Sequence, residues 1–293
     1  MNAATILKFT DVTKRYSKTV AVNNLSLEIK QGEKVALLGS NGAGKTSFLS
    51  MAAGLRKPSS GSIQILGSSV YNPQTKPLVT YLPQVLDFPS NITVNEIIDL
   101  VSTHYQTDYN FLNDLLEQLE LKKLLKRKTS ALSGGEKRKL GLVCTLLGRP
   151  QFAMLDEPTA NIDVEGCVKI EEILKNYFNQ NKTSLLFSSH QMQEVENLAD
   201  KIVILKAGEI ITQGPTSQIK KEFGLKKVSC YSTQNIKTTF AVSQTNNDNQ
   251  YEFLCHNSDS LLKDIINKYD DVSDIDIKEP SLDEILIKLW SDK

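Results

Sequence analysis

The sequence predicts an α/β fold with a mixed sheet, an inserted helical subdomain and a small C-terminal α+β appendage. Three observations carry that expectation. The apolar run Lys34-Val35-Ala36-Leu37-Leu38 feeds a glycine loop and then a helical stretch. Residues 92–148 switch to helical periodicity. From residue 152 onward, short apolar strands alternate with helices, as in a mostly parallel sheet covered by helices.

In chain order, Leu7-Lys8-Phe9-Thr10-Asp11-Val12 and Leu25-Ser26-Leu27-Glu28-Ile29 read as strands, and Gln31-Gly32-Glu33 turns into the run at 34–38. Next comes Gly39-Ser40-Asn41-Gly42-Ala43-Gly44-Lys45-Thr46, a P-loop fingerprint. Its glycines let successive backbone N–H groups curl around phosphate oxygens, Lys45 neutralises charge and Thr46 offers a hydroxyl to Mg²⁺. A buried strand before the loop and a helix over 45–53 after it supply the context this motif needs, and Gly54 reads as the helix stop. Thr93 and Glu96 form a capping box ahead of Ile97, Ile98 and Val101, while Leu112, Leu115, Leu116 and Leu119 share one helical face. Ser133 and Glu136 form a second capping box, so Gly134 and Gly135 occupy the first turn of a helix that runs to Leu147 and stops at Gly148 and Pro150. A helix start bearing a serine hydroxyl and glycines is suited to anions.

Beyond residue 152 the strands Phe152–Leu155, Ser184–Phe187 and Ile202–Leu205 alternate with helices over 165–178 and 191–199. A hairpin returns through Ile210 and Ile211, and a short helix near 217–223 follows. Composition then shifts: residues 225–293 hold eight lysines, no arginine and twelve acidic residues, a net charge of −4. Strands are expected at 228–231 and 251–254, an exposed loop at the Asn/Gln/Thr-rich stretch 242–250, and a helix at 260–268 with Leu261, Leu262, Ile265 and Ile266 on its apolar side. The expected division is therefore a first domain of residues 1–223, with a helical subdomain at about 88–150, and an accessory domain of residues 224–293.

Lysine plus arginine balance aspartate plus glutamate at 34 each, so no global field favours nucleic acid or an anionic membrane. Cys144, Cys167, Cys230 and Cys255 lack C-x-x-C spacing and read as buried or semi-buried free thiols. The start, Met1-Asn2-Ala3-Ala4-Thr5, has no basic stretch followed by an apolar run, and no apolar stretch reaches the ~18 residues that span a bilayer. The cluster Lys122, Lys123, Lys126, Arg127, Lys128 lacks interleaved aromatics and reads as a solvated helix end.

Met154-Leu155-Asp156-Glu157-Pro158 ends a strand in two consecutive carboxylates. Asp156 can hold a metal through water and Glu157 can act as general base; alternatively, the pair caps the helix that follows. His190 projects from the carboxyl end of a strand, where open α/β sheets bind ligands, and fits a γ-phosphate sensor; His104 and His256 have no such setting. Gln84, just past a strand, and Tyr16, an aromatic in a polar loop, are each compatible with a plain surface or packing role.

Taken in order, Tyr16, residues 39–46, Gln84, Leu132-Ser133-Gly134-Gly135-Glu136, Asp156-Glu157, Asp163 and His190 resemble the full motif set of an ATP-binding cassette (ABC) transporter ATPase over about residues 5–222. The resemblance implies a P-loop NTPase of ABC type forming a head-to-tail dimer. Each ATP would lie between the P-loop of one subunit and the Ser133-Gly134-Gly135 helix of the other. By match, Tyr16 stacks on adenine and Gly39, Ser40, Asn41, Gly42, Ala43, Gly44, Lys45, Thr46 and Ser47 surround the phosphates. Thr46, Gln84 and Asp156 serve Mg²⁺, Gln84 also transmits closure, Glu157 is the base and His190 contacts the γ-phosphate. Ser133, Gly134, Gly135 and Glu136 serve the partner's ATP, and Asp163 links the two sites. Departures are Glu136 where glutamine is commonest, Lys139 where arginine is frequent, and Asn161-Ile162-Asp163-Val164 where a small residue-Leu-Asp-Pro is usual.

The tail Pro280-Ser281-Leu282-Asp283-Glu284-Ile285-Leu286 resembles the ending of bacterial ABC ATPases that energise exporters of the drug, antimicrobial-peptide or lipid type. That resemblance implies a separate integral-membrane permease subunit, a place on the cytoplasmic face of the membrane and no nucleic-acid partner. A DNA-repair relative would carry a long coiled coil between P-loop and second glycine motif, but only 86 positions separate Thr46 from Leu132, without sustained heptads. A translation-associated relative would carry two cassettes, and no internal repeat is evident. An importer ATPase and a soluble ATPase with a non-membrane partner remain as alternatives.

Overall fold

A computed structural model describes residues 3–222, 225–279, 282 and 284. The chain forms two compact units, Met1–Gln213 and Gly214–Lys293. The boundary expected at residues 223 and 224 lies outside the described residues, as does the tail motif 280–286 apart from Leu282 and Glu284.

The first unit opens with β1 (Thr5–Tyr16) and β2 (Thr19–Lys30), a long antiparallel hairpin with irregular register, followed by β3 (Lys34–Gly39) and α1 (Lys45–Ala52). Both hairpin strands are longer than the expected segments, because the bulges keep apolar residues facing inward across interruptions in the alternation. Gly54 takes a left-handed φ of 71° just past α1, as a helix stop requires. Next come β4 (Ser60–Ile65), β5 (Ser68–Ser69) and β6 (Val79–Leu82). The expected helical stretch contains α2 (Val94–Ser102), α3 (Tyr109–Gln118) and α4 (Gly134–Leu147). Both capping boxes form, Thr93 with Glu96 and Ser133 with Glu136.

Then β7 (Phe152–Asp156), α5 (Val164–Asn181), β8 (Ser184–Ser188), α6 (Met192–Leu198), β9 (Lys201–Lys206) and β10 (Glu209–Pro215) alternate as expected. Two sheets result. One has the order β2-β1-β4-β5 and is antiparallel; the other has the order β10-β9-β3-β8-β7-β6, with parallel pairing from β9 through β6. The parallel strands β7 and β8 are buried at every residue, which is why they read as unbroken apolar runs. Phe48 of α1 stacks on Phe9 of β1 with ring centroids 4.2 Å apart, tying the helix behind the glycine loop to the antiparallel sheet. The carboxyl ends of the adjacent strands β3, β8, β7 and β6 thus lie side by side, with Gly39 and Asp156 as the last residues of β3 and β7 and Gln84 and His190 two residues beyond β6 and β8.

The second unit contains α7 (Thr216–Glu222), β11 (Lys226–Tyr231), β12 (Ala241–Asn247), β13 (Gln250–Cys255), α8 (Ser258–Lys268) and β14 (Ser273–Lys278). Its antiparallel sheet has the order β12-β13-β11-β14. Residues 241–247 form an edge strand where a loop is expected: its polar side chains stay exposed while its backbone pairs with β13, and the turn sits at Asp248 and Asn249. Of the expected apolar side of α8, Leu261 and Ile265 are buried and Leu262 packs on the same core, but Ile266 is 53 % exposed.

Among the described residues all four cysteines are free, with Cys144 half-buried and the others buried. Among the described residues no helix is long and apolar enough to cross a membrane. Lys122, Lys123 and Arg127 pair with Glu117, Glu120 and Glu136 respectively. The first two sit in a 3₁₀ turn after α3 instead of at the end of an α-helix.

Candidate functional site

The glycine loop between β3 and α1 forms one wall of a cleft of about 300 Å³ lined by Tyr16, Ala21, Asn41, Gly42, Gly44, Lys45, Thr46, Ser47, Gln84 and Glu157. Gly44 has φ 106°, and a side chain there would collide with the Ala21 carbonyl, so only glycine lets the loop pass. Ala43 is buried in the core behind the loop and its carbonyl accepts from Gly208 N at 3.1 Å, bracing the loop from beneath. Lys45 is 7 % exposed, and its Nζ donates to the carbonyls of Gly39 at 2.7 Å and Ser40 at 3.2 Å. Burial lowers the Lys45 ammonium from its usual range, against the pull of Glu157 and Asp156. A buried cation beside a loop of backbone donors matches a polyphosphate in charge and shape.

Asp156, at the end of β7, is 1 % exposed. Its Oδ1 accepts from Ser188 Oγ at 2.6 Å, whereas Oδ2 has no hydrogen-bond partner. A buried, singly satisfied carboxylate has a strong need for a cation, so this residue fits a divalent metal such as Mg²⁺. Burial, and then the Asp156 charge, push the neighbouring Tyr81 phenol up. The same Ser188 hydroxyl accepts from Glu157 N at 3.0 Å, fixing the two consecutive acids to one anchor.

Glu157 has a left-handed φ of 55°, an unusual conformation for a residue with a side chain. That backbone turn sends its carboxylate to the cleft, where His190 Nε2 lies 2.6 Å from Glu157 Oε1. The helix-capping alternative for the acid pair is therefore not what these side chains do: Asp163 caps α5, accepting from Gly166 N at 2.9 Å.

The predicted residues divide between two places. Tyr16, Asn41, Gly42, Gly44, Lys45, Thr46, Ser47, Gln84 and Glu157 meet in the cleft, with Gly39, Ser40, Ala43, Asp156 and His190 supporting them from behind or beside. The Tyr16 ring has Lys14 Nζ at 5.0 Å and the Arg56 guanidinium at 5.6 Å from its centroid. Ser133, Gly134, Gly135, Glu136 and Asp163 do not line this cleft. Ser133 and Gly134 are exposed, and Gly134 and Gly135 lie against Asn161, so the second glycine motif and the loop before Asp163 form a separate outward surface. Glu136 also pairs with Arg127 at 3.3 Å.

Two contributors escaped the sequence reading. Ser188 ends β8 and carries no motif of its own. Arg138, flanked by Lys137 and Lys139, is 2 % exposed and donates to the carbonyls of Pro83, Gln84, Asp156, Glu157 and Pro158. Helical phase was the available signal: Arg138 shares a face with Gly141, Leu142 and Thr145, all buried.

Residues 22–160 match the family model described as ABC transporter. An ABC transporter ATP-binding protein of Bacillus subtilis, YxlF, is 31 % identical over 97 % of this chain and 99 % of its own length. The Nod factor export ATP-binding protein I of Burkholderia orbicola is 34 % identical over 77 % of this chain and 76 % of its own. A solved structure titled as the ATP binding subunit of an ABC transporter superposes with a TM-score of 0.67 at 26 % identity, covering 75 % of this chain and 93 % of that one. The chain belongs to the ABC transporter family as an ATP-binding, ATP-hydrolysing subunit.

Proposed function

We propose that this chain powers export through a separate membrane subunit, using ATP to close a head-to-tail dimer and hydrolysis to reopen it. The observation that carries the reading is the separation of two anion-binding elements. The P-loop cleft is lined without any residue of the second glycine motif, and the capped, glycine-bearing start of α4 is exposed at Ser133 and Gly134. A second copy, turned about a two-fold axis, would supply each cleft with that missing wall.

Within the cleft, Lys45 and the loop N–H groups hold the phosphates and Tyr16 offers a face to the base. Thr46, Gln84 and Asp156 would hold Mg²⁺, which when bound neutralises charge on the phosphate oxygens. His190 engages Glu157 Oε1, so Oε2 is the atom that accepts a proton from the attacking water. Ser133, Gly134, Gly135 and Glu136 serve the partner's nucleotide, and Asp163 stands where the two sites communicate.

Export is favoured by the Nod factor export relative and by the tail motif at 280–286. The permease would hold this chain at the cytoplasmic face of the membrane, with residues 224–293 as an accessory domain. The test is purification of the tagged chain from detergent-solubilised membranes of its own cells. Recovery of a polytopic membrane protein in stoichiometric amount supports the reading; recovery of the chain alone, from the soluble fraction, overturns it.

A further inference from the structure

Arg138 lies five residues beyond Ser133 on α4, so one rigid helix carries both the outward glycine motif and a buried cation. Its fork reaches two loops at once. Nη1 donates to Pro83 O at 2.5 Å and Gln84 O at 3.4 Å; Nη2 donates to Glu157 O at 2.5 Å and to Asp156 O; Nε donates to Pro158 O at 3.2 Å. Among the described residues no carboxylate pairs with it directly; Asp156, Glu157 and Glu194 act on its charge from further off. Burial lowers its guanidinium to about 10, so it remains charged at neutral pH.

A core of this kind could be filled by an apolar side chain, whereas a buried guanidinium is costly unless its donors are used. Here they are used on backbone carbonyls flanking the three residues on which the proposed chemistry turns. Glu157 is also the residue whose left-handed backbone needs an external brace, since its φ of 55° is not self-sustaining. The Ser188 contacts at Glu157 N hold one side of that peptide and Arg138 at Glu157 O holds the other.

We propose that Arg138 is the positioning residue that couples seating of the α4 start on a partner's nucleotide to the placement of Gln84 and Glu157 within its own chain. A planar fork spanning both loops makes them move with α4 as one body, so the base is aligned only when the glycine motif is engaged. The inference rests on the dimeric ATPase reading above.

The test measures Arg138→Lys in the purified full chain, since a lysine keeps the charge but cannot bridge the two loops. Steady-state kcat is expected to fall at least about tenfold, while equilibrium ATP affinity stays within about threefold and the melting temperature within about 5 °C. The double variant Arg138→Lys/Glu157→Gln should be no slower than Glu157→Gln alone, because the arginine acts through the base. Wild-type kcat in Arg138→Lys, loss of ATP affinity in step with kcat, or an additive loss in the double variant overturns the proposal. Full turnover in Glu157→Gln would instead sink the underlying base assignment. If Arg138→Lys does not fold, Arg138→Gln is measured against the same outcomes.

Discussion

His190 Nε2 and Glu157 Oε1 are 2.6 Å apart, joining the second residue past β8 to the first residue past β7 at the mouth of the cleft. The side chain of His190 is 48 % exposed and that of Glu157 is 15 % exposed, so the histidine approaches from solvent and pins a carboxylate that faces inward. Replacing it removes the orienting contact without touching the phosphate loop. We expect His190→Ala to lower kcat by about 10- to 100-fold with ATP affinity nearly unchanged. Steady-state kinetics beside equilibrium titration with ATP checks this; an equal loss in both would place His190 in binding.

Lys45 is held by two carbonyls, an arrangement that satisfies a buried ammonium until phosphates arrive. Lys45→Ala removes a positive charge from a site of backbone donors. ATP affinity should fall at least about tenfold in a direct binding titration, and unchanged affinity would count against the cleft as the nucleotide site.

The orphaned Oδ2 of Asp156 predicts a metal phenotype. Asp156→Asn should raise the Mg²⁺ concentration for half-maximal turnover by about tenfold or more. Chelation of Mg²⁺ in the unaltered chain should abolish hydrolysis and leave ATP bound. Hydrolysis that persists without a divalent cation contradicts the assignment.

Much of this was legible because it is local. Residues 39–46, the two capping boxes and the Asp156-Glu157 pair declare themselves within a few positions, since loop geometry and helix ends are set by near neighbours. Arg138 and Ser188 were not legible in that way. Their roles arise from carbonyls and amides brought in from β6, β7 and β8, and nothing in Lys137-Arg138-Lys139 distinguishes a buried fork from a solvated charge except its helical phase. The strand at 241–247 was obscured for a related reason: an edge strand can be polar on its exposed residues while its backbone pairing fixes it in the sheet.

Glu194, on α6, is fully buried. Burial lifts its carboxyl from 4.5 to about 7; Glu171 adds to the rise, and the Ser189 and Thr159 hydroxyls and Arg138 oppose it. The folded carboxyl therefore holds its proton more tightly than the unfolded one. Its contribution to stability is fully present below pH 4.5, is lost as pH rises toward about 7, and is flat beyond. The size is on the order of 3 kcal/mol. Glu194→Gln, which stays neutral, should flatten this fall, so that denaturant melts at pH 5 and pH 8 differ less than in the unaltered chain. An identical pH dependence in the two would show that Glu194 ionises normally.

The central claim is that the two glycine motifs are opposite walls of a site completed only by two copies. Light scattering of Glu157→Gln with ATP and Mg²⁺ tests it most directly, because blocking the base should trap the closed state. The expected result is a dimer of the 32.6 kDa chain that reverts to monomer when Ser133→Arg is added, with ATP still bound to each chain. A monomer in the first case, or a dimer unaffected by Ser133→Arg in the second, would contradict the account.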